Sequence, residues 1–424
     1  MTPAASTDLP ARLADGSLTA TELVAAARRP DGLGATERLL DNAPDEAVRS
    51  DGRRRDGAPR GPLDGVPFAV KANIDVAGVP TTSGTALTPA PADSDAAAVA
   101  AWRAAGLIPV RTATLAELAV GSVTDNPHTG SCRNPHDPRL AAGGSSGGSG
   151  ALVGAGVVPL ALGSDTMGSV RIPAAYCGVV GYKPSRGAVD PAGLTPLHPL
   201  LDTVGVIADS VRGLRAAADP LLGTAHAVDA RGVRVAAVED LVGLADDAGR
   251  AATETVLARL RELGGTAGTV RLGVDLGLVR RRGLLLCEAD TYRRFAAQVD
   301  ADDPGLSERV RGMLRYGHDA GEERVNAALA TLRGIETTTL RMFDAADVLV
   351  SPTTLTGPPE VGVEPAHAAD LAAWVNVAGL CAITVPAGGP APDGIRRGVQ
   401  LIGRPGADAR LLACAEAVER AGLR

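Results

Sequence analysis

The chain has 424 residues, enough for one large domain or two ordinary ones, and 45% of them are apolar, so a substantial core can form. Only 2% are aromatic, which leaves that core to alanine, valine and leucine, and the net charge of −7 argues against nucleic acid as a partner. The five cysteines (Cys132, Cys177, Cys287, Cys381, Cys414) are odd in number and form no C-x-x-C pair, which argues against a disulfide frame or a zinc site and predicts buried, reduced thiols.

The amino terminus, MTPAASTDLPARL, shows no basic region leading into an apolar run, so no signal peptide is predicted and a cytoplasmic location is expected. Gly and Pro break every apolar run before the roughly 18–20 residues of a membrane helix. Thr19 to Arg29 is predicted as a short helix, with Thr19 as cap and Glu22 three residues on. It either packs into the core or makes a dimer contact, and the sequence does not choose. Residues 41–62, arginine-rich at Arg53–Arg55, read as a solvated surface loop.

Val66–Lys71 reads as a strand, Ala96–Ala105 as a helix and Leu107–Arg111 as a buried strand. Strand–helix–strand is the order of a parallel α/β sheet. Leu115–Leu118 begins another element, and Gly121–Pro138 is rich in turn residues. Ser149–Gly156 fits a small-residue helix, and Val157–Leu162 an apolar strand. Ser210–Gly223 is predicted as a surface helix, Val233–Val238 as a strand, and Arg250–Leu263 and Arg280–Gln298 as helices. Glu322–Phe343 is a long helical pattern that runs into a strand at Val348–Val350. Arginines and glutamates interleaved through 250–343 predict a solvated face. Ala382–Val385 and Val399–Ile402 read as neighbouring strands, and Asp408 as the cap of a last amphipathic helix, Ala409–Arg420.

The chemistry concentrates in Gly143–Pro184, GGSSGGSGALVGAGVVPLALGSDTMGSVRIPAAYCGVVGYKP. Two glycine-flanked serines stand in it, Ser145 and Ser169. Glycines let the backbone turn sharply and bring N–H groups close to a bound oxygen, as an acyl-transfer site needs. GGSSGGS alone also reads as a linker, but this one runs straight into an apolar helix–strand pair. No histidine lies in the stretch, whereas Lys71 ends the apolar run VPFAVK, and serine with lysine is an alternative to serine with histidine. A lysine acts as base only when neutral, so its pKa near 10.4 must fall, and burial would lower it.

This stretch resembles the signature of the amidase signature family, GGSSGGS followed by a glycine-serine turn and an I-R-x-P-A-like segment. GPLDGVPFAVKANIDVAGVPTTSGT resembles that family's lysine segment. VLVSPTT (Val348–Thr354), AGLCAITVPA (Ala378–Ala387) and GVQLIGRP (Gly398–Pro405) resemble its carboxyl-terminal strands. The likeness is dense from Gly61 to Gly187 and returns from Asp347, while residues 1–60 and 210–345 match loosely.

The resemblance implies a single α/β domain over 1–424, a twisted mixed sheet covered by helices on both sides. Its signature core would span about 61–210, a variable helical region about 211–345, and carboxyl-terminal strands and a helix about 346–424. It implies Ser169 as nucleophile, Ser145 as bridging serine after a cis bond from Gly144, and Lys71 as base. The amides of Thr166, Met167, Gly168 and Ser169 would form the oxyanion hole, with Asp165 and Arg171 orienting the loop. Met167 stands where the commonest family pattern has glycine, and either lines the substrate pocket or packs into the core. Ser122, Thr124 and Asn126 fall where the family's turn approaches substrate, and equally read as plain turn residues. Tyr176 and residues 280–345 are further candidates for the pocket. His128 and His136 read as structural or exposed, and no histidine shows metal-ligand spacing, so neither metal nor cofactor is expected.

The activity implied is hydrolysis of a carboxamide, with esters as further substrates, through an acyl-enzyme. The substrate is a small-molecule amide: an aliphatic or aryl amide, a urea-derived acid such as allophanate, or a specialised metabolite. Nucleic acid and membrane are not expected as partners, and a homodimer stays open. Two rival readings remain: a glutamine-hydrolysing subunit of an amidotransferase, and a non-catalytic scaffold member of the family.

Overall fold

The computed structural model describes residues 8–223 and 230–422. Its strands are β1 (Thr36–Leu39), β2 (Pro67–Lys71), β3 (Ile108–Ala113), β4 (Asp125–Asn126), β5 (Gly130–Ser131), β6 (Leu160–Ser164) and β7 (Val180–Lys183). They continue as β8 (Val204–Ala208), β9 (Arg234–Val238), β10 (Thr266–Val270), β11 (Val348–Pro352), β12 (Cys381–Ala387) and β13 (Arg397–Gly403). Among the described residues, one 11-stranded sheet has the order β1-β3-β2-β6-β8-β7-β12-β13-β11-β9-β10, and β4 and β5 form a separate ribbon. The sheet is mixed: β3, β2 and β6 run parallel, as do β10, β9 and β11, and antiparallel pairs join the two groups.

Side-chain alternation along these strands sorts the core into layers. Phe68, Val70, Leu160, Leu162, Val206, Val235, Val350 and Ile383 face one side, packing with helices Ala97–Ala104, Val211–Leu222, Asp247–Glu262 and Asp408–Arg420. The opposite side divides in two. Ala69, Ala161 and Ile207 meet the helices Ala20–Ala27, Ala43–Arg55 and Gly147–Gly154. Ala236, Leu349 and Ala382 meet Leu276–Asp300, Glu308–Asp319, Gly321–Leu340 and Asp370–Val377. The result is the expected α/β architecture, a large mixed sheet with helices on both faces. No helix of the described residues is long and apolar enough to cross a membrane.

Several local expectations change. Residues 43–55 are a helix and not a solvated loop. Pro44 opens it, Asp45 and Glu46 stand at its first turn and Arg53–Arg55 at its last, the arrangement that complements the helix dipole. Arg53 pairs with the buried Asp64 carboxylate and Arg54 donates to the Asp64 carbonyl at 2.9 Å, so these arginines staple the helix to the entry of β2. Asp408 begins the last helix without capping it, because its carboxylate accepts the Tyr182 hydroxyl and the Ser185 amide and hydroxyl instead. Thr19 does cap its helix, in a reciprocal box with Glu22. The five cysteines are all buried and free.

Candidate active site

Parallel pairing of β2 with β6 brings Lys71, the last residue of one strand, beside Ser164, the last of the other. Carboxyl ends of parallel strands are where open α/β sheets place their ligand sites. Lys71 is fully buried, and its Nζ donates to Ser145 Oγ at 2.7 Å and to Ser164 Oγ at 2.8 Å. Asn73 Nδ2 donates to the same Ser164 hydroxyl at 3.1 Å. Ser145 enters through a cis peptide bond from Gly144, and the helix Gly147–Gly154 begins just after it. Burial pushes the Lys71 ammonium down to about 7, while the charges of Asp165 and Asp202 pull it back up.

After β6 the chain turns through Asp165–Ser169 into the helix Arg171–Tyr176. Gly168 makes that turn at φ +112°, and a Cβ there would lie 2.6 Å from the Ala372 methyl, so only glycine fits. Asp165 holds the loop from inside. Its carboxylate accepts the Gly168 amide at 2.8 Å, the Val170 amide at 3.2 Å, and Arg171 Nε and a terminal nitrogen at 3.0 Å each. Arg171, fully buried, also donates to Gln400 Oε1 at 2.9 Å and Asn376 Oδ1 at 2.6 Å. Burial alone would raise the Asp165 carboxyl, but Arg171, Lys183 and Asn376 hold it well below the usual carboxylate range.

The Gly168 amide is therefore spent on Asp165 and leaves the expected set of oxyanion donors. The amides of Thr166, Met167 and Ser169 make no hydrogen bond among the described residues. Thr166 is fixed from behind, its hydroxyl donating to Asp202 Oδ1 at 2.8 Å. Asp202 Oδ2 accepts the amides of Leu197 and His198 at 2.8 and 2.9 Å, and burial pushes its carboxyl up to about 6 against these bonds.

Ser169, Thr166, Met167 and Gly144 border a cavity of about 210 Å³. The Ser169 hydroxyl makes no hydrogen bond among the described residues, so the contact of Lys71 with Ser145 is formed and that of Ser145 with Ser169 is not. Met167 lines the cavity and also packs: a Cβ at Gly283 would lie 2.8 Å from its sulfur. Ser122 lies at the cavity wall, its amide donating to Glu364 Oε1 at 2.9 Å. Thr124 does not reach the cavity. Its buried hydroxyl donates to the Gly143 carbonyl at 2.9 Å and accepts the Gly147 amide at 3.1 Å, bracing the turn around Ser145. Asn126 likewise bonds the carbonyls of Gly84 and Leu115. Tyr176 is buried behind Gly143. His128 faces Glu117 at 3.2 Å and His136 the Cys177 carbonyl at 2.9 Å, both outside the cavity.

The opposite wall comes from residues within 280–345, a region that read both as a solvated face and as a candidate for the pocket. Arg280, Leu284 and Cys287 from Leu276–Asp300, and Arg309 and Met313 from Glu308–Asp319, all line the cavity. Sequence reasoning misses Ser164, Asn376, Gln400, Asp202 and Glu364, and reaches Arg280 and Arg309 only as part of the region 280–345. Ser164 alone carries a signal, a hydroxyl at the end of the strand before Asp165. The rest depend on long-range packing.

The sequence profile described as Amidase matches residues 19–412. AtzE, the 1-carboxybiuret hydrolase subunit of Pseudomonas sp. (strain ADP), is 45% identical over 206 residues, 48% of this chain and 45% of that protein. A glutamyl-tRNA(Gln) amidotransferase subunit of Chloroflexus aurantiacus is 33% identical over 465 aligned positions, covering 97% of this chain and 95% of its own. Among solved structures, a crystal structure of an amidase superposes with a TM-score of 0.91 at 29% identity over 99% of this chain and 100% of that one. The structure of 6-aminohexanoate cyclic dimer hydrolase complexed with substrate superposes at 0.86 with 26% identity, over 99% and 97%.

Proposed function

This chain belongs to the amidase family, and from that premise we propose that it hydrolyses the carboxamide bond of a small molecule through an acyl-enzyme on Ser169. The observation that carries the reading is the 2.7 Å bond between a fully buried Lys71 and Ser145, beside the cavity onto which Ser169 opens. A lysine lowered to about 7 is half neutral near neutral pH, where a base works best. Neutral Lys71 takes the Ser145 proton as Ser145 takes that of Ser169, and Ser169 Oγ attacks the carbonyl carbon. The amides of Thr166, Met167 and Ser169 receive the oxyanion. The proton returns through Ser145 to the leaving amine, and water attacks the ester along the reverse path. The reaction needs the Ser169 hydroxyl within hydrogen-bond reach of Ser145.

A fluorophosphonate probe should label Ser169 in the wild type and nothing in Ser169→Ala, and peptide mapping of the label to another serine would overturn the assignment. A second reading, a glutamine-hydrolysing subunit of an amidotransferase, is favoured by relatives such as the Chloroflexus protein, matched over nearly the whole chain. Ammonia release from glutamine that rises on adding a co-purifying nucleotide-binding chain would decide for it. The intact Lys71, Ser145 and Ser169 speak against a scaffold without catalysis.

A further inference from the structure

The cavity beside Ser169 has an apolar wall, made by Val120, Ile172, Leu197, Leu284 and Met313. Three charged side chains are set into it: Arg280, Arg309 and Glu364. Glu364 is already satisfied, one oxygen accepting the Ser122 amide and the other the Arg309 guanidinium. Arg309 is 54% exposed and stands at the rim. Arg280 is 16% exposed and stands deeper. One of its terminal nitrogens meets the Asp370 carboxylate and the His367 ring. Its other two nitrogens have no protein partner among the described residues.

We propose that Arg280 is a specificity-determining residue that binds a carboxylate of the substrate, so that the amide cleaved at Ser169 belongs to a small anionic molecule. This rests on the hydrolase reading above and names its substrate class. Asp370 and His367 hold one terminal nitrogen of a side chain that borders the cavity, and its other N–H donors are unpaired among the described residues. A guanidinium fork with two open nitrogens matches a planar carboxylate, which it grips with two parallel bonds. The roughly 300–1,000 Å³ of pockets for drug-sized ligands exceeds the space here. Amide and carboxylate therefore sit on one short skeleton.

The test uses binding, which needs no turnover. In a Ser169→Ala background, calorimetry compares malonamate, succinamate and glutaramate with propanamide, butanamide and pentanamide. At least one acid should bind roughly 10–100-fold more tightly than its neutral counterpart, the range of a charge-assisted hydrogen bond. Arg280→Gln in the same background should erase that preference while the melting temperature stays within a few degrees. Arg280→Lys should restore part of it, since it keeps the charge and loses the fork. Acids that bind no better than neutral amides, or a preference that survives Arg280→Gln, would overturn the proposal. Failure of wild-type hydrolysis or of Ser169 labelling would instead count against the acyl-enzyme.

Discussion

The two walls of the cavity are built differently. The wall carrying Lys71, Ser145 and the 165–169 turn is buried, and its polar groups bond one another across strand ends and tight turns. The facing wall is made of helix surfaces whose charged ends pair at the edge of solvent, as Arg309 does with Glu364. One wall is fixed by backbone geometry and desolvation, the other by side chains that can change without disturbing the sheet. Chemistry belongs on the first kind of wall and substrate choice on the second.

The largest effect should come from the first wall. Ser169→Ala and Lys71→Ala should each lower kcat by roughly 10³-fold or more, because nucleophile and base act as a unit. The double variant should be little worse than either single one, and additive losses would show that the two side chains work separately.

Stability should separate the walls next. Arg171 and Arg309 are both paired arginines near the cavity. Arg171→Met strips a buried Asp165 of its partner and should cost about 3–5 kcal/mol in denaturant unfolding. Arg309→Met removes a half-exposed pair and should cost at most about 1 kcal/mol. Similar losses would erase the contrast between the walls.

The same contrast explains what could be read from the sequence. The first wall is written in short motifs, because a cis bond, a left-handed glycine and a strand-end lysine each demand a particular residue at a particular place. The Gly144–Ser145 cis bond and the Asp165–Arg171 pair were expected from the family resemblance that these motifs carry. The second wall joins Arg280 to Asp370 and Ser122 to Glu364, positions far apart in the chain. An arginine on an amphipathic helix looks the same whether it meets water or a substrate, so these read both as a solvated face and as candidates for the pocket. The helix at Ala43–Arg55 hid for a related reason: its buried face is only Ala43, Ala47 and Ser50, too small to show an apolar stripe. The fold came through because apolar runs rich in Val and Leu gave the strand–helix–strand order and the family resemblance implied the mixed sheet.

Met167 is where the walls touch, its backbone in the catalytic turn and its sulfur against Gly283 of the facing helix. Met167→Gly keeps the backbone N–H and frees volume on the acyl side. The ratio of kcat/KM between long and short acyl chains should rise by roughly 10–200-fold, the worth of a methylene or so in an apolar pocket. A drop in melting temperature with unchanged ratios would assign Met167 to packing alone.

The smallest predicted effect is a displacement of the pH profile. Activity needs Lys71 neutral, so the rate should rise as pH increases through about 7. Two carboxylates oppose the burial that lowers this lysine, Asp165 and Asp202. Asp165, held ionised by Arg171, contributes a constant pull across the whole range. Asp202 is pushed up to about 6 and is ionised where the enzyme works. Its negative charge favours the ammonium, so removing it makes Lys71 easier to deprotonate. Asp202→Asn should therefore shift the acidic limb to lower pH. The asparagine carbonyl can still accept the Leu197 and His198 amides, and its NH₂ can donate to Thr166 once that hydroxyl turns, so the turn stays braced. Asp202→Ala should move the limb in the same direction but also lower the plateau, since Thr166 loses its tether. A limb that stays in place or moves to higher pH in Asp202→Asn would mean that Lys71 does not set it.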